Sequence, residues 1–409
     1  DLSSEGKTML PTVNAPENIK RKVSIVTRYT TIPILLFATT PVIAHFLGGG
    51  YWYWLTVVAF VICMILDPIV GDDPVNAPAE MEQELEQSLF YRFMLWLYIP
   101  VQFLITLFAY SLLTNTPMDM FTALGVSYQP LNPLEIIGLA ISLGLVTGFG
   151  ATPAHELCHH GNAFDRFMGQ ALLTPISMAD FYVYHNFHHH LTVATPEDHA
   201  TAPYGENFWR FALRSTIRKS ICAWQVEAKR LAKKGLSWLN LDNKMIKITV
   251  AQVAWFSLLV YLFGWIILPL FIMQYIFPRM LLATADFAEH YGLMRKQNPD
   301  GSYEKIRPEH AWDDSMIISS FFMCQIDRHS DHHANVGRPY QVLRVMDKAP
   351  RLPLGYLNIL FVTLVPPLWR KIMHPIIEEF YDTADIVPYA LPGTLPERFV
   401  ERAVIADIK

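Results

Sequence analysis

LEIIGLAISLGLVTGFGATPAHELCHH, residues 134 to 160, decides the reading of this chain. Its first part is an apolar run with no Lys or Arg, long enough to cross a bilayer as a helix, which takes roughly 20 residues. The run leads directly into His155, His159 and His160. His155 and His159 stand at i and i+4, so a helix carries both imidazoles on one face. The stretch therefore predicts a membrane helix that delivers histidines to one of its ends.

Working outward, the same composition recurs. Hydrophobic residues make up 52% of the chain and charged residues 17%. Runs of spanning length lie at 31 to 48, 51 to 70, 93 to 114, 134 to 156, 247 to 263 and 265 to 290. Gly264-Trp265 divides the last two, because about 40 residues exceed one span. The expected fold is all-α, a polytopic membrane protein of about six transmembrane helices with a His-rich region on one side. Residues 1 to 20 read as a polar, mobile tail, and 21 to 409 as a single membrane-embedded catalytic domain. The opening Asp1, in place of Met, suggests a fragment of a longer polypeptide. Leu354 to Leu368 is too short and too proline-broken to span, and reads as buried or interfacial.

Charge placement predicts the orientation. The connections 48 to 51, 114 to 133 and 263 to 265 lack Lys and Arg, whereas Lys20, Arg21, Lys22 and Arg28 precede the first span. The positive-inside rule then puts both termini in the cytoplasm. Every histidine cluster falls on that side, in the insert 161 to 246, in the segment 291 to 409, or at a span end. A net charge of -5 argues against nucleic-acid binding as the main activity. The basic stretch from Arg210 to Lys234 reads as an anchor on anionic membrane lipid.

Ten of the fifteen histidines lie in three short clusters: His155, His159, His160; His185, His188, His189, His190; and His329, His332, His333. His185 with His189, and His329 with His333, repeat the i, i+4 spacing of the first pair. A lone histidine such as His45, His310 or His374 is ordinarily a core or surface residue. Seven or more convergent imidazoles exceed the needs of one first-row metal and imply two. Imidazole suits Zn, Cu, Fe and Ni alike. His155-Glu-Leu-Cys-His159 matches HExxH, yet a zinc hydrolase needs one further ligand, not six. A His-rich site at the membrane boundary suits oxygen chemistry on a hydrocarbon instead. Cys63, Cys158, Cys222 and Cys324 show no CxxC spacing, which excludes a rubredoxin-type iron site and predicts no disulfide.

Four strings make the reading specific: His-Glu-Leu-Cys-His-His from 155, His-Asn-Phe-His-His-His from 185 with Val-Ala-Thr-Pro-Glu-Asp from 193, Ala-Glu-His-Tyr-Gly-Leu from 288, and Arg-His-Ser-Asp-His-His-Ala from 328. In order and spacing they resemble the signatures of the integral-membrane alkane 1-monooxygenases, a branch of the membrane fatty-acid desaturase and hydroxylase superfamily. The resemblance implies nine metal ligands: His155, His159, His185, His189, His190, His290, His329, His332 and His333. It leaves His160 and His188 outside the set. This chain departs from the pattern at His160, Tyr184, Phe187, His188 and Asp286, beside the ligands.

The resemblance further implies a non-haem diiron enzyme of the bacterial inner membrane, its site facing the cytoplasm. Such an enzyme hydroxylates the terminal methyl of medium- to long-chain linear alkanes with O₂ and two external electrons. One oxygen atom leaves as water and the other enters the primary alcohol. Gly148-Phe-Gly150 lies within a span and lacks the third glycine of a nucleotide motif, so no nucleotide site is expected. The resemblance implies that the electrons come from a rubredoxin or ferredoxin-type carrier, separate or fused on a missing C-terminal part. Asp67, Asp198, Asp286 and Asp331 are candidates to orient ligand imidazoles, a carboxylate's usual part behind a metal. Trp52, Trp54, Ala59, Phe60, Leu97 and Ile141 are candidates to line the alkane channel. Arg279, inside the last span, is expected to snorkel or to pair with an acid. A desaturase using the same metals and a metal transporter are the competing readings.

Overall fold

The computed structural model describes residues 24–29 and 31–407, so the expected tail at 1 to 20 lies outside the described residues. Five described helical segments are long and apolar enough to cross a membrane: Gly50–Val70, Leu89–Leu113, Pro133–His159, Lys244–Phe263 and Trp265–Glu289. They contain the long helices α1 (Leu55–Val70), α2 (Leu89–Leu113), α3 (Pro133–Phe149), its continuation α4 (Ala151–His159), α6 (Lys244–Phe263) and α7 (Leu268–Glu289); α5 (Phe208–Ala232) and the short α8 (His329–Ala334) lie outside them.

The run expected to span at 31 to 48 is instead broken into Ile32–Ala38 and Thr40–Phe46. Pro41 is the cause. It has no N–H to return to the Phe37 carbonyl, and the Thr40 hydroxyl donates to that oxygen instead, at 2.7 Å, while Thr39 serves Leu36 in the same way. At about 1.5 Å per residue each half covers roughly 10 Å, a third of a bilayer core.

The start of α3 is held by a capping box. Asn132 accepts from the Leu134 and Glu135 amides at 3.0 and 3.1 Å, and Glu135 accepts from the Asn132 amide at 2.9 Å. At Gly150, where α3 passes into α4, α2 comes so close that a β-carbon would collide with the Gln102 side chain. Gly264, at φ 77°, separates α6 from α7, as the sequence predicts. Arg279 pairs with Asp180 at 3.3 Å, donates to the Ser177 carbonyl at 2.6 Å and lies 3.9 Å from the Tyr275 ring centre. The membrane-level cation is thereby neutralised, which an apolar setting demands.

Outside the spans, α5 bears an exposed apolar stripe at i+4 steps, Trp209, Leu213, Ile217 and Ile221, flanked by Arg210, Arg214 and Arg218. α5 thus presents one apolar face outward, edged by arginines, while Phe208, Phe211, Ala212 and Cys222 pack inward. The run from Leu354 forms the short buried helix Tyr356–Thr363, packed against α7. A small sheet then ties the C-terminal segment to the core: Leu293–Met294 pairs antiparallel with Val387–Ala390, which pairs parallel with Val404–Ile405. Next to it Ala202 donates to the His290 carbonyl at 3.3 Å and Gly292 donates to the Ala202 carbonyl at 2.7 Å. These bonds hold His290 against the segment that follows His185 to His190.

Candidate metal centre

The nine imidazoles come from four elements. α4 carries His155 and His159, the helical segment 180–192 carries His185, His189 and His190, the end of α7 carries His290, and α8 carries His329, His332 and His333. They converge in two groups, His155, His159, His185, His190, His332 and His189, His290, His329, His333, each with one ring nitrogen per residue within 4.8 Å of the others.

The partition differs from what i, i+4 spacing suggests. His185–His189 forms a π-helical turn, which widens the helix so that His185 shares a group with His190, at i+5, while His189 turns to the other group. On α8, His329 and His333 keep the i, i+4 pairing and His332 joins the α4 histidines. The second and third clusters therefore each serve both groups. The ring centres of His190 and His333, one from each group, are 4.7 Å apart, so the groups abut.

The nitrogen distances fit metal ions and not hydrogen bonds. Nε2 of His185 lies 2.7 Å from that of His155, 2.9 Å from that of His159 and 2.9 Å from that of His190. One nitrogen carries at most one proton, so three such contacts cannot all be donated. In the second group Nε2 of His329 lies 3.1 Å from that of His290 and 2.9 Å from that of His333. Around an ion with metal–nitrogen bonds of about 2.1 Å, neighbouring ligands at right angles stand roughly 3 Å apart. His332 supports the same reading, since neither of its buried ring nitrogens has a hydrogen-bond partner among the described residues. Burial, and then repulsion among the imidazoles, hold His185, His190, His290, His329 and His333 well below the ordinary imidazole range, and His332 at about 3. They are neutral, with lone pairs to offer.

Of the four candidate aspartates, Asp198 alone reaches a cluster imidazole with its carboxylate. It accepts from His189 Nδ1 at 3.0 Å, the Tyr184 hydroxyl at 2.5 Å and the Thr201 hydroxyl at 2.7 Å. Burial opposes its charge, yet His189 and these bonds hold it far below the usual carboxylate range. With Nδ1 protonated, His189 keeps its Nε2 lone pair free. Asp286 is ion-paired to Lys219. Asp331 accepts from the Arg344 amide at 2.9 Å and from Asn335 at 2.7 Å. Asp67 accepts from the Ser319 amide and hydroxyl at 2.9 and 2.6 Å, binding α1 to the segment before α8.

Sequence reasoning missed Glu289, whose carboxylate lies 3.2 Å from His329 Nε2 and accepts from the Tyr356 hydroxyl at 2.8 Å. Its place directly before His290 was the available signal. His160, expected outside the set, contacts Glu156 at 3.1 Å and Asp165 at 2.8 Å, and joins neither group. His188 also stands apart; its donors gather with those of His199 and Cys222.

An apolar cavity meets the imidazoles. Gly148, Phe149, Leu173, Met178, Pro278, Leu281 and Leu360 form its walls, and His155, His185, His189 and His329 its metal end. Trp52, Trp54, Ala59, Phe60, Leu97 and Ile141 do not line it. Trp52 and Leu97 are exposed, Trp54 donates to the Leu134 carbonyl at 3.0 Å, and Ala59 and Ile141 pack on the core. Phe60 packs behind the cavity, its ring centre 5.6 Å from that of the wall residue Phe149. Hydropathy marks such residues as membrane-level but is blind to which face of a helix the cavity occupies.

The comparisons agree with the motifs. The sequence model of the fatty acid desaturase family matches residues 133–359. The chain is 34% identical to an alkane 1-monooxygenase of Ectopseudomonas oleovorans, over 88% of its own length and 87% of that protein's. It is 35% identical to alkane 1-monooxygenase 2 of Pseudomonas aeruginosa, over 82% and 87%. To the xylene/toluene monooxygenase hydroxylase component of Pseudomonas putida it is 28% identical, over 84% and 86%.

Proposed function

The chain belongs to the alkane 1-monooxygenases within the fatty acid desaturase family, and from that membership we propose that it is a membrane enzyme hydroxylating the terminal methyl of medium- to long-chain linear alkanes. The observation that carries the reading is the pairing of two abutting imidazole groups with an apolar cavity that ends on them. His155, His159, His185, His190 and His332 would hold one iron, and His189, His290, His329 and His333 the other, with the Glu289 carboxylate beside the second. Bound there, the two ions would supply O₂ reduction, drawing two electrons from outside and releasing one oxygen atom as water.

The protein's own part is positional. The walls given by α3 and α7 take an aliphatic chain end-on and leave its terminal methyl beside the metal end. An alkane already dissolved in lipid gains little by entering, so cavity length and shape, not hydrophobic driving force, set which alkanes react. Asp198 keeps His189 in the ligating tautomer. Residues from 21 onward act as one catalytic unit, which we assign to the bacterial inner membrane with the metal end toward the cytoplasm, where Arg28 and the basic α5 lie. By analogy with the family, a rubredoxin or ferredoxin-type carrier, separate or fused, would donate the electrons; the spacing of Cys63, Cys158, Cys222 and Cys324 offers no CxxC pair for such a site here.

The test is product analysis of the purified protein in lipid with a linear alkane, O₂, NADH, rubredoxin and rubredoxin reductase. The expected product is the primary alcohol carrying one atom of labelled O₂, and NADH without the carrier gives none. An alkene product would replace the reading with a desaturase, and turnover on NADH alone would overturn the external donor.

A further inference from the structure

Beside the metal end, the apolar cavity adjoins two further pockets, a branch joined to it through shared wall residues. Met178, Phe181 and Leu282 line both the cavity and a narrow neck, and Asp180, Ser220 and Arg279 line both that neck and a wider cleft between α5, α6 and α7. The neck measures about 30 Å³ and the cleft about 370 Å³; one water needs roughly 10 to 15 Å³ of such space, so the neck holds about two. Phe181 stands at the junction, its ring stacked 4.5 Å from that of His185, so the neck adjoins the end of the cavity where the reacting carbon would lie.

The neck differs chemically from the cavity it leaves. Ser220 donates to Asp180 at 2.5 Å, Asp180 pairs with Arg279 at 3.3 Å, and Thr216 and Lys219 complete the polar side of the neck. The cavity wall, apart from Thr152, Asp286, Glu289 and the histidines, is hydrocarbon. Beyond it, the cleft combines both characters. Val253, Phe256 and Phe271 offer apolar surface, while Thr249 and Gln252 offer hydrogen bonds, and the Gln252 amide nitrogen is buried without a partner among the described residues. Met245 and Thr249 stand in the first turns of α6 and Phe271 in the first turn of α7, so the cleft runs along the span from the end nearest the histidines toward the other.

We propose that this branch is a binding and exit site for a primary alcohol, the product of the reaction proposed above, on which the inference rests. The hydroxyl, left at the metal end, leads into the neck and exchanges hydrogen bonds with Ser220 and Asp180, and the chain follows into the cleft and the adjoining lipid leaflet. An alkane finds no partner in the neck and stays with the hydrocarbon walls. Passage requires the Asp180–Ser220 pair to part, because the neck as it stands admits little more than water.

The experiment uses the holoprotein in nanodiscs. The dissociation rates of a deuterated primary alcohol and of the alkane of equal length are measured by displacement in the wild type, Ser220→Ala and Ser220→Trp. Ser220→Trp fills the neck, and the alcohol should leave at least ten-fold more slowly while alkane exchange is unchanged; Ser220→Ala should fall between. Thermal unfolding and metal content of each variant establish that the fold is kept. An unchanged alcohol rate in folded Ser220→Trp, or equal slowing of alcohol and alkane, would overturn the proposal. So would a change in water access alone, seen as altered solvent exchange with alcohol release untouched. Single-turnover alcohol formation by the wild type is read separately, and its absence would refute the hydroxylase reading without bearing on the dissociation rates.

Discussion

Asp198→Asn isolates one metal group from the other. The substitution keeps the size of a fully buried side chain and removes its charge. The carboxylate accepts from His189, Tyr184 and Thr201, and the amide that replaces it is a weaker acceptor with one end turned donor. Loss of a carboxylate behind a ligating imidazole costs roughly 10- to 100-fold in metal affinity, or about 1.4 to 2.7 kcal/mol. His189 belongs to the four-imidazole group, so that cost falls on one metal of two. The assay is iron per chain after dialysis against graded chelator. Asp198→Asn should release one equivalent at roughly 10- to 100-fold lower chelator concentration and keep the second. Asp331→Asn is the control, because Asp331 bonds to Arg344 and Asn335 and touches no cluster imidazole. Its metal release should match the wild type. Equal release from both variants, or simultaneous loss of both irons from Asp198→Asn, would refute the reasoning.

Other outcomes follow from the same geometry. His290→Ala should abolish alcohol formation and lower iron content, whereas His188→Ala, outside both groups, should retain measurable turnover; full activity in His290→Ala would remove it from the ligand set. Gly148→Ala places a β-carbon 2.5 Å from Leu281 Cδ1 in the cavity wall, so product yields across a series of linear alkanes should shift toward shorter chains with metal content unchanged. Acid should destabilise the metal-free protein. The folded state holds His185, His190, His290, His329 and His333 below the ordinary range and His332 near 3, while unfolded imidazoles titrate near 6.5. Between those values the unfolded chain binds more protons, so stability present above about pH 6.5 is lost as pH falls, and apo thermal unfolding should show that slope. Bound metal moves the loss to lower pH, since protons must then displace it.

Much of this was legible in the chain alone, for a physical reason. Spanning length, the glycine break between α6 and α7 and the crowding of histidines at span ends are local properties, set by hydropathy and spacing within a few turns. The motifs carried the family because their spacing along the chain is itself the pattern. What the sequence could not decide depended on contacts between distant segments. The i, i+4 rule joins His185 to His189, but a π-turn joins His185 to His190 and sends His189 across to His290 and α8. Asp198 and Asp331 look alike in the sequence, and only the docking of 193–201 against Tyr184 gives Asp198 an imidazole to orient. Glu289 gains its place beside His329 when the end of α7 meets α8. The cavity runs between α3 and α7 rather than along the tryptophans near residue 52, because which face of an apolar helix meets lipid and which meets a neighbour is fixed by packing, and in a bilayer hydropathy is the same on both.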